Sequence, residues 1–154
     1  MLKNKPVHSP TRTSKCPLGF TLIELLVTMA VIAILISLSV FALQSARVSS
    51  RDAKRKADLE TIRTALEFYR ADCGSYPPAS SDQVPSPLTG TGSCSGNVYM
   101  QSVPSDPITG KIYRYTRVSN TSYTLCAHLE GGGSDAGCGS CGSAGNCNYK
   151  TTSP

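Results

Sequence analysis

Two groups of residues in this sequence have side chains suited to chemistry. The larger group is a set of six cysteines in the later part of the chain: Cys73, Cys94, Cys126, Cys138, Cys141 and Cys147. Such thiols can pair as disulfides, bind zinc or act as a redox dithiol. The second is a single carboxylate, Glu24, at the N-terminal edge of a long apolar run. A charge costs about 2.5 to 3.5 kcal/mol at mid-membrane and less near the interface, so Glu24 needs headgroups or a partner cation.

The apolar run after Glu24 has the length of a membrane-spanning helix. From Leu25 to Ala46 no residue is charged and none is Pro or Gly, and about 20 apolar residues cross a bilayer as a helix. Most of the net charge of +5 comes from a leader that precedes the run, with Lys3, Lys5, Arg12 and Lys15. Because basic residues collect on the cytoplasmic side of a span, we expect the N-terminus inside and the C-terminal part outside.

The cysteines divide between the two sides in the same way. Cys16 precedes the apolar run, and the even set of six follows it. Disulfides persist in oxidising compartments, so this division also indicates an extracytoplasmic C-terminal part. We expect three disulfides, of which Cys73 and Cys94 could form one, and the sequence leaves the connectivity open. Zinc binding and a redox dithiol that includes Cys138 and Cys141 are the alternatives.

The residues around Glu24 carry a family resemblance. They read Lys15-Cys16-Pro17-Leu18-Gly19-Phe20-Thr21-Leu22-Ile23-Glu24-Leu25-Leu26. This stretch resembles the class III signal of type IV pilins and type II secretion pseudopilins. The resemblance implies that prepilin peptidase cleaves between Gly19 and Phe20 on the cytoplasmic face, that Phe20 is then N-methylated, and that the apolar run stays on the protein. The competing interpretation is an ordinary secretory signal that ends near Val40-Phe41-Ala42.

The resemblance also implies an assembly role for Glu24. Cleavage creates a cationic amine at Phe20, and the matching Glu of the family pairs with the amine of a neighbouring subunit. A carboxylate in a low-dielectric helix bundle is costly when unpaired and tolerable when paired, so this ion pair can select the register of docking. The alternative is that Glu24 simply reaches the headgroups.

One long helix is predicted after the leader. No Gly or Pro occurs from Phe20 to Cys73, whereas Gly74 and the Pro77-Pro78 pair end the helix. Spacings of three and four beyond the span indicate one buried stripe: Leu59, Ile62, Leu66, Tyr69 and Cys73. The predicted regions are a cleaved cytoplasmic leader over 1–19, a transmembrane or filament-core helix over 20–46, an amphipathic continuation over 47–73 and a small globular region over 74–154.

The globular region has two segments that alternate apolar and polar residues, 111–117 and 123–129. Ser119-Asn120-Thr121 supplies turn residues between them, so an antiparallel hairpin is predicted. The Ser- and Pro-rich residues 74–107 predict a long loop with one short helix or strand near Val98 to Gln101. The expected fold is therefore α+β and pilin-like: a long N-terminal helix packed on a small antiparallel sheet, with a disulfide-stapled C-terminal tail.

A second resemblance concerns this globular region. The segments 72–77 and 103–107, followed by Tyr113-x-Tyr115, resemble the G-type major pseudopilin, which holds calcium in an acidic C-terminal loop. The corresponding residues 131–137 contain one carboxylate, Asp135, whereas calcium takes about six to eight oxygen ligands. We therefore expect no metal and no cofactor.

Four basic residues lie just beyond the span on one predicted helical face: Arg47, Arg51, Lys54 and Arg55. Nucleic acid is not an expected partner, because no aromatic residues are interleaved to stack on bases. We interpret this face as a contact with lipid headgroups or with neighbouring subunits.

The predicted function is structural, because the sequence offers no nucleophile and base pair and no phosphate-binding loop, and no enzyme activity is expected. The chain is predicted to be a subunit of a type IV pilus-like filament that is processed by prepilin peptidase and assembled through its N-terminal helix. Expected partners are copies of itself or related pilins, the peptidase, an inner-membrane assembly platform and motor, and lipid. The expected location is the cytoplasmic membrane and then an extracytoplasmic or surface filament. The alternatives are a pseudopilin of a type II secretion system and a membrane-anchored, Cys-rich metal- or ligand-binding module.

Overall fold

The computed structural model describes residues 19–154, apart from the side chain of Phe41. The leader predicted over 1–19, including Cys16, therefore lies outside the described residues except for Gly19. The chain forms two compact units, one that ends at Phe41 and one over Ala42–Pro154.

A single helix, α1, spans Leu22–Cys73 and contains 52 residues. Its first turn has a capping box, in which the Glu24 amide donates to Thr21 Oγ1 at 3.3 Å and the Thr21 amide donates to Glu24 Oε2 at 3.1 Å. Its last turn is closed by Gly74, whose amide donates to the Arg70 carbonyl at 2.8 Å and whose φ is 76°. Glycine adopts that backbone conformation without steric cost. The predicted uninterrupted helix is confirmed.

The first unit exposes its large apolar side chains. Leu22 is 81% exposed, and even Ile32, the least exposed of the set, is 48% exposed. An 18-residue stretch of the helix has a mean hydropathy of 2.7 and is 0% buried. By length and composition, α1 could therefore cross a membrane. A continuous apolar surface of this kind marks a contact with lipid or with other protein.

Five strands follow α1 in the second unit. They are β1 (Leu88–Thr89), β2 (Val98–Met100), β3 (Arg114–Ser119), β4 (Ser122–Ala127) and β5 (Tyr149–Thr152). β1 and β2 form a two-stranded antiparallel sheet, and a short 3₁₀ turn over Gly92–Cys94 lies between them. β3, β4 and β5 form the main sheet in that order, with both pairs antiparallel.

The hydrophobic core lies between α1 and these sheets. The helix contributes the buried residues Leu59, Ile62, Ala65, Leu66 and Tyr69. They share one cluster with buried residues that follow the helix: Tyr76, Val84, Leu88, Tyr113, Tyr115, Tyr123, Leu125 and Ala127. Each fully buried aliphatic or aromatic side chain stabilises the fold by about 1.5 to 3 kcal/mol. The predicted stripe is confirmed, with Cys73 only partly buried beside it.

The strand boundaries differ from the prediction. The first strand of the hairpin was predicted over 111–117, but β3 begins at Arg114 because Lys111 and Ile112 bond to the C-terminal tail. Lys111 bridges to Gly142, and the Ile112 amide donates to the Cys141 carbonyl at 3.2 Å. The short helix or strand expected near Val98 to Gln101 is a strand, β2. The sequence did not predict β5, because Tyr149-Lys150-Thr151-Thr152 has little apolar alternation and is placed by its pairing with β4.

Candidate assembly site

The predicted processing site lies before the helix. Gly19, Phe20 and Thr21 are outside α1, and Phe20 is 85% exposed. Apart from Gly19 and its chain neighbours, no atom of the described residues lies within 4 Å of the position that a Cβ would occupy on Gly19. Among the described residues, the bond between Gly19 and Phe20 thus lies before the first turn of α1 and is not packed against other parts of the chain.

Glu24 makes its hydrogen bonds within the first turn. Besides the Thr21 amide, the Thr21 hydroxyl lies 2.9 Å from Glu24 Oε2. A carboxylate at this position also complements the positive end of the helix dipole. Among residues 19–154, Glu24 has no ion-pair partner. Within the described residues, its charge is thus stabilised by hydrogen bonds at the start of the helix.

A buried ionic cluster fixes α1 to the rest of the second unit. Its centre is Arg55, whose side chain is 0% exposed. Arg55 donates to Asp106 twice, from Nε to Oδ2 at 2.7 Å and from Nη2 to Oδ1 at 3.0 Å. Its Nη1 lies 2.7 Å from Asp52 Oδ1 and 2.7 Å from Glu130 Oε1. Arg51 adds a second cation by a two-pronged contact with Glu130. The cluster joins the helix, the loop before β3 and the start of the tail.

Asp52 holds the tail through its backbone. The Glu130 amide donates to Asp52 Oδ1 at 2.9 Å, and the Gly131 amide donates to Oδ2 at 2.7 Å. Burial alone would raise the pKa of Asp52, but these amides and Arg55 together lower it. Asp52 therefore binds both the Arg55 guanidinium and the backbone at the start of the tail.

The remaining members of the cluster hold their charges strongly. Hydrogen bonding by Arg51, with further bonding by Arg55, lowers the pKa of Glu130 to about 2. Hydrogen bonding by Asp106 raises the pKa of Arg55 above its ordinary value. Buried charges of this kind are tolerated only when they are paired. Removing one partner leaves the other charge buried and unpaired, which destabilises the fold.

The interpretation of the four basic residues as one exposed face is wrong. Arg47 and Lys54 are exposed, whereas Arg55 is buried in the ionic cluster and Arg51 is partly buried against Glu130. The sequence concealed this because the carboxylates that bind the arginines, Asp106 and Glu130, are far away along the chain. The local signal was the spacing of Asp52 and Arg55 by three residues, which allows contact within a helix.

All six cysteines after the span form disulfides. The pairs are Cys73–Cys94, Cys126–Cys138 and Cys141–Cys147, with Cα atoms 5.2, 6.5 and 5.2 Å apart. Cys126, Cys141 and Cys147 are each 0% exposed and form a small cluster with Cys138, separate from the hydrophobic core. In residues 19–154 no group of three or more His, Cys, Asp or Glu side chains is placed to hold a metal ion. Asp135 accepts instead from the Gly137 amide and the Asn146 side chain.

Comparison with known proteins covers both parts of the chain. Residues 16–40 match the model of the prokaryotic N-terminal methylation motif, and residues 42–144 match that of type II secretion system protein G. The type II secretion system core protein G of Pseudomonas aeruginosa is 30% identical over 126 residues, which cover 76% of this chain and 88% of that protein. No solved structure matches the chain significantly. The chain therefore belongs to the type II secretion system protein G family, the pseudopilins, and combines the family's N-terminal methylation motif with a disulfide-bonded C-terminal region.

Proposed function

We propose that this chain is a structural subunit of a type II secretion pseudopilus, a helical filament built on the N-terminal helices of many copies. The observation that carries this proposal is the exposed apolar surface of the first unit, which begins directly after an exposed glycine–phenylalanine bond. Such a surface can lie in lipid before assembly and against other helices afterwards. Family membership favours the secretion pseudopilus over the type IV pilus, although the first 26 residues suit both.

Processing prepares the subunit. Prepilin peptidase cuts between Gly19 and Phe20 on the cytoplasmic side, and the new amine of Phe20 is N-methylated. The span crosses the inner membrane with its N-terminus inside, so the second unit lies in the oxidising compartment where disulfides are stable. An assembly platform and motor then move the subunit from the membrane into the filament.

Glu24 selects the register of docking. In the free subunit its carboxylate caps the helix through Thr21, which keeps it at the first turn. In the filament it also pairs with the amine of Phe20 on a neighbouring copy. An uncompensated carboxylate among packed apolar helices is strongly unfavourable, so misregistered docking is disfavoured.

The test compares two substitutions at Glu24. Capping boxes accept Glu or Gln, so Glu24→Gln keeps the cap and removes the charge, whereas Glu24→Ala removes both. We expect both variants to be cleaved and methylated, as measured by the mass of the N-terminal peptide, and neither to enter sheared filaments. Normal assembly of Glu24→Gln would reduce Glu24 to a capping residue and overturn its pairing role.

Secretion and pilus functions separate in the cell. Deletion of the gene should leave secreted hydrolases inside the cell and leave surface piliation unchanged. Loss of surface pili with normal secretion would instead support the type IV pilus. The Cys-rich metal-binding alternative gains no support, since the six cysteine sulfurs are bonded to one another.

A further inference from the structure

The loop over residues 130–137, here called the tail loop, corresponds to the acidic loop in which the G-type pseudopilin holds calcium. After Glu130 its one carboxylate is Asp135. The Gly137 amide donates to Asp135 Oδ1 at 2.8 Å, and the Asn146 side chain donates to Oδ2 at 2.7 Å. Both oxygens of Asp135 thus face N–H donors, whereas calcium takes about six to eight oxygen ligands. The residues of the tail loop therefore do not suit the ion that the resemblance implies.

Apolar burial does not order the tail loop either. None of its eight residues is buried, and four of them are glycine. Glycine loses more backbone freedom on ordering than any other residue, so a fixed conformation here needs strong contacts. The disulfide Cys126–Cys138 fixes the chain at the far end of the loop. The near end, at Glu130, is fixed by charged side chains.

One guanidinium lies at the centre of those charges. Arg55, with its side chain 0% exposed, contacts Asp52 on α1, Asp106 in the loop before β3 and Glu130 at the start of the tail loop. Each of these carboxylates has two oxygens, and all six oxygens accept from an N–H group of Arg55, of Arg51 or of the backbone. Three separate parts of the chain thus meet at one buried cation.

The balance of charge shows how much depends on Arg55. The three carboxylates carry three negative charges, and Arg51 and Arg55 supply two positive ones. Without Arg55, the excess of negative charge would double, and Asp106 would lose its partner cation. Carboxylates gathered in this way repel one another unless a cation lies among them.

We propose that the Arg55 guanidinium takes the place of the structural calcium ion in this chain. It draws carboxylates from the helix, the loop before β3 and the tail together, and it fixes the tail loop on α1 without a metal. A guanidinium stays charged at any physiological pH and forms forked hydrogen bonds with carboxylates. Because this cation is covalently part of the chain, its occupancy does not fall with the concentration of a free ion, as that of a bound metal does.

The first test varies calcium around the unsubstituted protein. Hydrogen exchange and thermal unfolding are measured on the full, detergent-solubilised chain in EDTA and in calcium at about 2 mM, which fills extracellular calcium modules. We expect exchange in residues 130–137 to agree within about twofold between the two conditions. A rise of about tenfold or more in EDTA would show that calcium orders the tail loop and would overturn the proposal.

The second test changes the cation itself, in EDTA. Arg55→Met keeps much of the side-chain length but removes the charge, so exchange in residues 130–137 should rise by at least about tenfold. Arg55→Lys keeps the charge but lacks the fork that reaches several carboxylates at once, so its rise should be smaller, about threefold. Equal rises in the two variants, or no rise in Arg55→Lys, would overturn the proposal. The lysine variant carries the comparison alone if Arg55→Met does not fold.

Two controls separate the cation from other causes. Peptide mass spectrometry under non-reducing conditions verifies that the three disulfides are intact in each variant, so that a rise in exchange reports the loss of the ionic contacts. Leu66→Ala provides a matched global destabilisation. We expect Arg55→Met to open residues 130–137 more than residues 59–69 of α1, and Leu66→Ala to show no such preference. The same exchange pattern in both variants would contradict a local role for Arg55.

These readouts need no filament, so they are separate from the test of assembly. The proposed function adds one consequence that rests on it: the tail loop of each subunit keeps its conformation at any calcium concentration around the filament. A chain with a calcium-independent tail loop that never assembles would count against the proposed function and leave this inference intact. A chain that assembles but whose tail loop opens in EDTA would overturn this inference and leave the proposed function intact.

Discussion

The hydrophobic core and the segment from Glu130 to Asn148, here called the cystine segment, are stabilised in contrasting ways within one unit. The core joins α1 to the sheets through buried Leu, Ile and Tyr side chains. The cystine segment buries only cysteines and is held by disulfides and by the ionic cluster around Arg55. The contrast teaches that a small region with little apolar area can be ordered by covalent links and charge, provided that a helix with its own core supplies the anchor points.

Removing Arg55 should be the most damaging change. Arg55→Ala leaves Asp52, Asp106 and Glu130 without their shared buried cation, which should lower the free energy of unfolding by about 3 to 5 kcal/mol. Urea unfolding of the full chain in detergent, followed by circular dichroism, measures the loss. The neighbouring Lys54→Ala, at an exposed position, should stay within about 0.5 kcal/mol. Similar values for the two variants would show that the ionic cluster does not stabilise the fold.

Shortening a side chain of the hydrophobic core should destabilise the core and not the cystine segment alone. Leu66 is 0% exposed, so Leu66→Ala should cost about 2 to 5 kcal/mol through lost burial and the cavity left behind. Phe68→Ala on the same helix is the control, because Phe68 is 64% exposed. Hydrogen exchange should rise across α1 and the sheet alike in Leu66→Ala. A rise confined to residues 130–148 would contradict the division into two regions.

Acid should weaken the ionic cluster that holds the cystine segment at a higher pH than it weakens the hydrophobic core. Glu130 has its pKa lowered from 4.5 to about 2, so its ionised form stabilises the fold above pH 4.5. That contribution is lost as the pH falls towards 2, with a loss of about 1 to 3 kcal/mol. Unfolding at pH 7, 4 and 2.5 measures it. Glu130→Gln should be less stable at pH 7 and should lose less on acidification, whereas an identical pH profile in both proteins would contradict the assignment.

A smaller effect is expected at the far end of the cystine segment. Asn148→Ala removes two hydrogen bonds with the Leu129 backbone, which should cost about 1 to 2 kcal/mol. Exchange of the Leu129 amide should accelerate by about tenfold, and Asn146→Ala provides a comparison within the same segment. No change at Leu129 would show that the disulfides alone hold that end.

The hydrophobic core was predictable from the sequence, and most of the ionic cluster around Arg55 was not. Leu59, Ile62, Leu66 and Tyr69 repeat with the helical period, so their burial follows from pattern alone. Arg55 follows the same period, but the carboxylates that pair with it after the helix are Asp106 and Glu130. They come 51 and 75 residues later in the chain. Contacts of that range depend on the completed fold. The cysteine count predicted three disulfides, but their connectivity required the structure.

The processing site stands apart from both regions. Gly19, Phe20 and Glu24 were identified by resemblance to a family signal, and their roles in cleavage, methylation and pairing stay predictions. The fold adds the capping box between Thr21 and Glu24, which the sequence also permits because a Thr is followed three residues later by a Glu.

Because Asp52 and Arg55 lie on the same helix as Leu59 and Ile62, the ionic anchor and the apolar stripe must keep one rotational phase. Each residue inserted into α1 turns the rest of the helix by about 100°. A single insertion between Arg55 and Leu59 would point the anchor and the stripe in different directions. An insertion of about seven residues, close to two whole turns, would nearly restore the phase and instead shift the anchor along the axis by about 10 Å. The number of residues between Arg55 and Leu59 is therefore constrained. We expect this part of the helix to tolerate substitution far better than a change in length.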